Sequence, residues 1–364
     1  MNLLTFVNFY PGHYPVICLR NKSIMFKKIA FLILFLPGIA HAQSSAIGQR
    51  TFQYRDSLRD RPVSTEVWYP TDADADKAST DPEYPFIRVP TIRNAPIPLK
   101  KFPLIMLSHG TGGGRLNMEW LADILVQKGF IVAAVDHWGN TYDHKTAIDF
   151  VTPWNRAQDI SFALTQLLQT RELDQAIDSE RIGAAGFSIG GYTVLALAGA
   201  KLSLESLNNF TETPLGMKEI ALPEFPNLKT MVNKEEVRAS FEKAPDLKDK
   251  RIKAFFAICP AIGQGFRSQK QFESIHDPVY IVGAQSDSIA PIKTNALHYQ
   301  KMIKGSKLLI LPGKTGHYVF LNEARDQLKE KEKQFFMDDK TVNRHHVHQQ
   351  VGNEAAFFFL GILR

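Results

Sequence analysis

Short apolar runs alternate with amphipathic stretches from Phe102 to the end of the chain. The runs are FPLIMLS (102–108), GFIVAAVD (129–136), RIGAAGF (181–187), KAFFAICP (253–260), PVYIVGA (278–284) and KLLILPG (307–313). Helical spacing of apolar residues fills the intervals, as at 116–128, 154–169, 291–304 and 347–360. Continuous apolar strands separated by helices predict a mostly parallel, doubly wound sheet with both faces covered, which is an α/β fold.

Two other segments complete the predicted domain of residues 43–364. Residues 48–57 and 61–70 alternate apolar and polar side chains around a charged turn and predict an antiparallel N-terminal hairpin. Residues 71–100 lack periodicity and predict an irregular surface segment. Residues 201–250, after the third long strand, are charged and punctuated by proline. They form either a lid over a pocket or a solvated surface excursion.

The N-terminus predicts export. After Met25 come two lysines, an apolar run over Ile29–Ala40 and an Ala-His-Ala cleavage signature that ends at Ala42. The run is shorter than the roughly 20 residues that span a bilayer and contains a proline and a glycine, so it favours a cleaved signal peptide over a membrane anchor. We expect residues 1–42 to be a leader with Met25 as the true start, and the mature protein to be periplasmic or secreted.

Cleavage after Ala42 changes the charge and the cysteine count. The formal charge of +6 comes from 43 basic and 37 acidic residues, and the leader holds four of the basic ones and no acidic one. The nearly balanced mature chain has no Lys/Arg run and gives no reason to expect a nucleic-acid partner. Cys259 is its one cysteine. An internal disulfide is therefore excluded, and the stability of the mature protein must come from its core.

Ser188 is the first candidate for chemistry. It lies in Gly186-Phe187-Ser188-Ile189-Gly190, between an apolar strand and an apolar helical stretch. Glycines at this spacing let a strand turn sharply into a helix, with the serine hydroxyl exposed on the turn. The pentapeptide also fits a glycine-rich helix start that only needs close packing.

A serine nucleophile needs a base and an acid that orients the base. Asp287 follows the strand that ends at 284, and His317 follows the next strand. Ser188, Asp287 and His317 therefore occur in the order serine, acid, histidine, each beyond a strand end. The rivals are His298, interpreted as a helix-surface residue, and Asp136, interpreted as a loop or cap residue. A further group, His345, His346 and His348, is interpreted as a solvated helix start rather than a metal site.

A glycine-rich turn follows the first long strand, in LSHGTGGGR (107–115). Its backbone can approach a ligand closely and offer N–H donors to an oxyanion. A phosphate-binding loop is the alternative. It fits less well because no Lys-Ser or Lys-Thr follows, and Arg115 stands where GxGxxG has its third glycine.

Taken together, these motifs resemble the α/β-hydrolase superfamily, and within it secreted serine esterases related to platelet-activating factor acetylhydrolase and to dienelactone-hydrolase-like proteins. The resemblance covers VWYP, PLIMLSHGTGGG, VAAVDHWGNT, DSERIGAAGFSIGGYT, GAQSDSIAP and GHYVFL. It implies Ser188 as nucleophile, Asp287 as acid and His317 as base, with the backbone N–H groups of Thr111 and Ile189 as the oxyanion hole. The chain departs from true dienelactone hydrolases, which use cysteine in the elbow, and has Phe187 where acetylhydrolase-like elbows often have histidine.

We therefore expect a carboxylic-ester hydrolase that acts through an acyl-enzyme on a small-molecule or lipid ester, such as a short-chain or phospholipid-derived acyl ester. No cofactor or metal is expected. A peptidase or amidase with the same triad, and a non-catalytic binding protein on a hydrolase fold, are the alternatives.

Overall fold

A nine-stranded mixed sheet organises the chain. The computed structural model describes residues 46–219 and 224–364, so the predicted leader lies outside the described residues. The strands are β1 (Ala46–Asp56), β2 (Arg61–Thr71), β3 (Ile92–Arg93), β4 (Phe102–Ser108), β5 (Ile131–Val135), β6 (Ile177–Phe187), β7 (Ile252–Ile258), β8 (Val279–Ala284) and β9 (Lys307–Leu311). Their order across the sheet is β3-β1-β2-β5-β4-β6-β7-β8-β9.

The helices lie between and after these strands. They are α1 (Glu119–Gln127), α2 (Ala147–Val151), α3 (Trp154–Gln169), α4 (Arg171–Asp174), α5 (Ile189–Ala198), α6 (Leu204–Thr211), α7 (Pro214–Glu219), α8 (Leu228–Met231), α9 (Lys234–Lys243), α10 (Ala296–Met302), α11 (Asp326–Lys331), α12 (Lys333–Phe336) and α13 (Arg344–Ile362). Within the described residues, no helix combines the length and the hydropathy needed to cross a bilayer.

Pairing within the sheet agrees with the predicted fold class. β1 pairs antiparallel with β2, and β2 pairs antiparallel with β5. From β5 to β9 every neighbouring pair is parallel. The sheet is therefore mostly parallel with an antiparallel N-terminal hairpin, as the sequence predicts.

Both faces of the sheet are covered, because alternate side chains of a strand point to opposite faces. In β4, Leu104 and Met106 join the apolar cluster that also contains residues of α3 and α5. Ile105 and Leu107 join the second cluster, which contains residues of α1 and α13. This two-sided burial explains why the central strands have continuous apolar sequences.

The segment 71–100 differs slightly from the prediction. It is irregular over most of its length, but Ile92 and Arg93 form the short strand β3, which pairs parallel with β1 at the edge of the sheet. Two residues are too few to produce an alternating pattern, so no periodic signal could indicate this strand.

Residues 201–250 contain α6 to α9, and their described part contains no strand. The segment leaves the sheet after α5 and returns at β7. It is therefore an insertion between two adjacent parallel strands.

Candidate active site

Ser188 lies on the tight turn between β6 and α5. Its backbone has φ 59° and ψ −121°, a conformation that non-glycine residues rarely adopt. Such strain costs on the order of 1–3 kcal/mol and persists only where the surroundings enforce it.

The glycines on either side of Ser188 allow the turn to close. A Cβ on Gly186 would lie 2.1 Å from the carbonyl oxygen of Gly190, and one on Gly190 would lie 2.0 Å from the carbonyl oxygen of Ser108. Both contacts are with backbone atoms, which cannot move aside as a flexible side chain can. Close packing thus accounts for the two glycines, and their effect is to present the Ser188 side chain at the carboxyl end of β6.

Ser188, His317 and Asp287 form a continuous hydrogen-bonded chain. The Nε2 atom of His317 lies 2.9 Å from Oγ of Ser188, and its Nδ1 atom lies 2.7 Å from Oδ2 of Asp287. All three residues are buried. Since Nδ1 donates to the carboxylate, Nε2 of neutral His317 is left as the acceptor for the serine hydroxyl.

Backbone donors hold the Asp287 carboxylate. Its Oδ1 atom accepts hydrogen bonds from the N–H groups of Ile289 (2.9 Å) and Ala290 (2.7 Å). The loop that carries it is joined to the His317 loop, because Ser286 N–H donates to the carbonyl of Thr315 at 2.9 Å. Asp287 and His317 are therefore held relative to each other by the loops that follow β8 and β9.

The glycine-rich turn lies directly beside Ser188. A Cβ on Gly110 would lie 3.4 Å from Cβ of Ser188, so the backbone at this point is in contact with the elbow. Gly113 N–H donates to the carbonyl of Gly110 at 3.2 Å and closes the turn. Within residues 46–219 and 224–364, the N–H groups of Thr111 and Ile189 have no hydrogen-bond partner.

Two histidines at this turn are buried, and the sequence analysis assigns no role to either. His109 and His137 each follow a strand end, and their rings lie 4.9 Å apart. Burial, together with nearby positive charge, lowers the pKa of both well below the usual value for histidine, so both are neutral at pH 7. Each histidine stands in a short motif just after a strand, SHG after β4 and DHWGN after β5. This position could have indicated both residues from the sequence.

Cys259 lies close to Asp287 and His317. One donor atom each of Cys259, Asp287 and His317 lies within 4.8 Å of the others, the only such group of metal-ligating side chains among the described residues. Burial and the neighbouring Asp287 raise the pKa of the thiol well above its usual value. Because metals bind the thiolate, and because Asp287 and His317 already bond each other, this group does not suit a metal ion.

The rival residues occupy structural positions. His298 Nε2 lies 2.7 Å from the carbonyl oxygen of Phe266, and Asp136 accepts a hydrogen bond from Arg115 N–H at 2.7 Å. The interpretation of the last histidines as a solvated helix start is wrong for His348. Its ring is buried and stacked on Trp120 with centroids 4.2 Å apart, because α13 packs against α1.

The insertion contacts the neighbourhood of the glycine-rich turn. The ring of Phe225 packs edge-on against Phe150 with centroids 4.8 Å apart. A Cβ on Gly112 would lie 3.2 Å from a carboxylate oxygen of Glu224. On its other side, Glu219 accepts a hydrogen bond from Gln264 at 2.7 Å. The insertion is therefore packed against the domain near the site rather than fully solvated.

Two family models match parts of the chain. The model of the prolyl oligopeptidase family matches residues 116–203, and that of platelet-activating factor acetylhydrolase, isoform II, matches residues 77–149. The first range includes Ser188 and α5, and the second includes the glycine-rich turn.

Similar curated proteins are cutinases. The chain is 22% identical over 204 residues to Cutinase 1 of Thermobifida cellulosilytica, which is 56% of this chain and 54% of that protein. It is 24% identical over 194 residues to Cutinase 2 of the same organism, covering 53% of this chain and 50% of that protein. The chain thus spans about half the length of these relatives.

Among solved structures, the ferulic acid esterase from Streptomyces cinnamoneus superposes with a TM-score of 0.57 at 20% sequence identity. The superposition covers 90% of this chain and 92% of that one. At this level of identity the match shows a shared fold over most of the chain.

Proposed function

The chain has the α/β-hydrolase fold, and we propose that it is a serine hydrolase that cleaves carboxylic esters through an acyl-enzyme. The observation that carries this proposal is the chain of contacts from Ser188 through His317 to Asp287, at 2.9 and 2.7 Å. The matches to cutinases and to the acetylhydrolase family model support the same reaction class.

In the first half of the reaction, Oγ of Ser188 attacks the ester carbonyl while Nε2 of His317 takes the hydroxyl proton. Asp287 holds the imidazole in the required tautomer and stabilises its positive charge. The negative charge on the carbonyl oxygen is stabilised by the N–H groups of Thr111 and Ile189. A single donor of this kind is typically worth about 3 kcal/mol of transition-state stabilisation.

The tetrahedral intermediate then collapses. The bond from the carbonyl carbon to the alkoxy oxygen breaks, and the alcohol leaves with the proton that His317 returns. In the second half, water loses a proton to His317 and attacks the acyl-enzyme, which releases the carboxylic acid and restores the Ser188 hydroxyl.

The substrate class in this proposal is a small-molecule or lipid ester with a short or phospholipid-derived acyl chain. The insertion 201–250 acts as one wall of the acyl pocket, or as a lid, because Glu224 and Phe225 lie next to Gly112 and Phe150. The enzyme works in the periplasm or outside the cell after cleavage behind Ala42.

A peptidase or amidase using the same three residues is the second candidate. It is favoured by one observation, the match of the prolyl oligopeptidase family model to a range that contains Ser188. Amides have a poorer leaving group than esters. Amide cleavage therefore depends more strongly on protonation of the leaving group by His317 than ester cleavage does.

Ester and amide substrates with the same acyl group distinguish the esterase from the peptidase or amidase. Rates are measured on aryl esters from acetyl to palmitoyl and on anilides with the same acyl groups, for the wild type and for Ser188→Ala. The proposal expects ester hydrolysis that Ser188→Ala abolishes, with anilides cleaved far more slowly. Faster cleavage of the anilides would establish the peptidase or amidase instead, and the chain length with the highest kcat/KM would define the acyl pocket.

A further inference from the structure

A second hydrogen-bonded series of buried serine, histidine and aspartate begins at Ser108, in the glycine-rich turn. Oγ of Ser108 lies 2.9 Å from Nε2 of His137, and Nδ1 of His137 lies 3.0 Å from Oδ2 of Asp159. All three side chains are fully buried, so no substrate can reach this serine. The arrangement therefore has a role other than nucleophilic catalysis.

The hydrogen bonds of this cluster fix where the protons are. Asp159 is ion-paired with Arg59 and Arg61 and can only accept, so His137 carries its proton on Nδ1. Its Nε2 atom must then accept from the Ser108 hydroxyl. The imidazole of His137 is held at both nitrogens, and this fixes the adjacent backbone as well.

The backbone of His137 is hydrogen-bonded to the side chain of His109. The N–H of His137 donates to Nε2 of His109 at 3.2 Å, so Nε2 of His109 carries no proton and its Nδ1 does. Nδ1 lies 2.7 Å from the carbonyl oxygen of Gly110 and donates to it. The guanidinium of Arg156 donates to the carbonyl of His109 and holds the same residue from the other side.

The carbonyl of Gly110 and the N–H of Thr111 belong to one peptide group. In a planar trans peptide these two groups point in opposite directions, so fixing the direction of one fixes the other. The peptide is also next to the nucleophile, since a Cβ on Gly110 would lie 3.4 Å from Cβ of Ser188.

We propose that Asp159, His137, Ser108 and His109 form a positioning relay that orients the Gly110–Thr111 peptide, with its N–H directed at the oxyanion. His109 is the last positioning residue of the relay, because its side chain bonds the Gly110 carbonyl, which also accepts from the Gly113 N–H. This inference rests on the proposed function, in which Thr111 is an oxyanion donor.

The space around the relay agrees with this role. A Cβ on Gly113 would lie 3.0 Å from Nδ1 of His109 and 3.2 Å from the carbonyl oxygen of Gly110. A side chain at this position would press on both the donor and the acceptor of the terminal hydrogen bond. Glycine at 113 thus leaves room for the contact that directs the peptide.

The test compares two substitutions of similar size. In His109→Asn the amide nitrogen takes the place of Nδ1 and can still donate to Gly110, whereas His109→Leu has no donor. We expect His109→Leu to lower kcat for p-nitrophenyl acetate by about 10- to 100-fold with KM changed less than about threefold, because the oxyanion donor is misdirected. His109→Asn should recover most of this loss, even if both variants lose similar thermal stability.

Equal losses of kcat in the two variants, or wild-type kcat in His109→Leu, would overturn the inference. His346→Leu, on the exposed side of α13, is the matched control and should behave as the wild type. If His109→Leu does not fold, kcat of Gly113→Ala tests the inference in its place. It should lower kcat at least about tenfold, and wild-type kcat would again overturn the relay.

Ser188→Ala, measured alongside, separates this inference from the proposed function. Loss of hydrolysis in Ser188→Ala with full activity in His109→Leu contradicts the relay alone. Full hydrolysis in Ser188→Ala contradicts the proposed function itself.

Discussion

At the scale of single residues, the strongest constraint is the backbone around Ser188. Its positive φ is imposed by contacts on both sides of the turn, where Gly186 and Gly190 each approach backbone carbonyl oxygens at distances that exclude a Cβ. The motif was visible in the sequence because glycine is the one residue that fits these positions.

We expect Gly190→Ala to lose ester hydrolysis and to destabilise the protein by about 2 kcal/mol or more, because the new Cβ would lie 2.0 Å from the carbonyl oxygen of Ser108. Thermal denaturation and hydrolysis of p-nitrophenyl acetate measure the two effects. Gly361→Ala is the control, since no atom lies within 4 Å of its added Cβ, and it should be neutral or slightly stabilising. Wild-type stability in Gly190→Ala would contradict the packing described for the elbow.

The hydrogen bonds of the buried residues at the glycine-rich turn were harder to predict. His109 and His137 stood in recognisable motifs, but their bonds to Gly110 and Asp159 join residues on different strands and helices. Strand order and helix placement determine which buried polar residues are hydrogen-bonded to each other. A single sequence does not specify this arrangement. The same limit applies to His348, whose stacking on Trp120 depends on the packing of α13 against α1.

At the scale of elements, strand and helix types were predictable and their ends were not. β6 begins earlier than the apolar run at 181–187, at the buried Ile177, and the residues between Ile177 and the continuously buried 182–187 are half-buried or exposed. Helix α1 begins at Glu119 rather than 116, because the preceding residues continue the turn that Arg115 N–H anchors on Asp136. In both cases the spacing of apolar residues shows which residues are buried, whereas backbone hydrogen bonds determine where the strand or helix begins and ends.

Helix α1 also carries a buried carboxylate that titrates unusually. Burial and the neighbouring Glu119 raise the pKa of Asp123 to about 7. Because the folded-state pKa lies above the unfolded value of about 3.9, this group's contribution to stability is complete below about pH 4. The contribution is lost as the pH rises toward 7 and changes little above that.

Asp123→Asn should therefore raise the free energy of unfolding at pH 8, by roughly 1–4 kcal/mol, and leave it almost unchanged at pH 4. The amide oxygen can still accept the N–H of Val89, which lies 3.3 Å from the carboxylate in the wild type. Urea denaturation at the two pH values is the measurement. The exposed Asp326→Asn is the control and should show no pH-dependent gain. An equal gain at both pH values would mean that the charge of Asp123 is not the cause.

The insertion is the element whose role was least predictable, since charged sequence is equally typical of a lid and of a solvated surface. If Phe225 forms part of the acyl pocket, Phe225→Ala should raise KM for a long-chain aryl ester by about 3- to 10-fold through lost apolar contact. The acetyl ester should be unaffected. Leu99→Ala, at an exposed leucine outside the insertion, is the control. Equal changes for both esters would place Phe225 outside the acyl pocket.

At the scale of the whole molecule, the sheet brings together residues that are distant in sequence. Ser188, Asp287 and His317 follow β6, β8 and β9, which run parallel and therefore end at the same edge. That meeting could be anticipated from motif order and strand direction. The strand order, and with it the separation between the loops, required the structure, because nothing in one sequence specifies which strands are neighbours.

Export is a prediction that concerns the whole chain. We expect that the full chain, expressed in a bacterial host, appears in the periplasmic fraction with Gln43 as its first residue, because the signature before it ends at Ala42. Cell fractionation followed by N-terminal sequencing gives the result. A product that stays in the cytoplasm with its leader intact would contradict the predicted signal peptide. Substitution of Ala42 by a bulky residue should block the cleavage and serves as the control.

The central claim, that Ser188 is an activated nucleophile, is tested most directly by labelling with a fluorophosphonate and locating the adduct by mass spectrometry. The account predicts a single adduct on Ser188 of the wild type and none in Ser188→Ala. It also predicts that Ser188→Ala keeps the wild-type thermal midpoint while hydrolysis of p-nitrophenyl acetate falls at least about 10³-fold. An unlabelled Ser188, or a Ser188→Ala variant with wild-type hydrolysis, would contradict it.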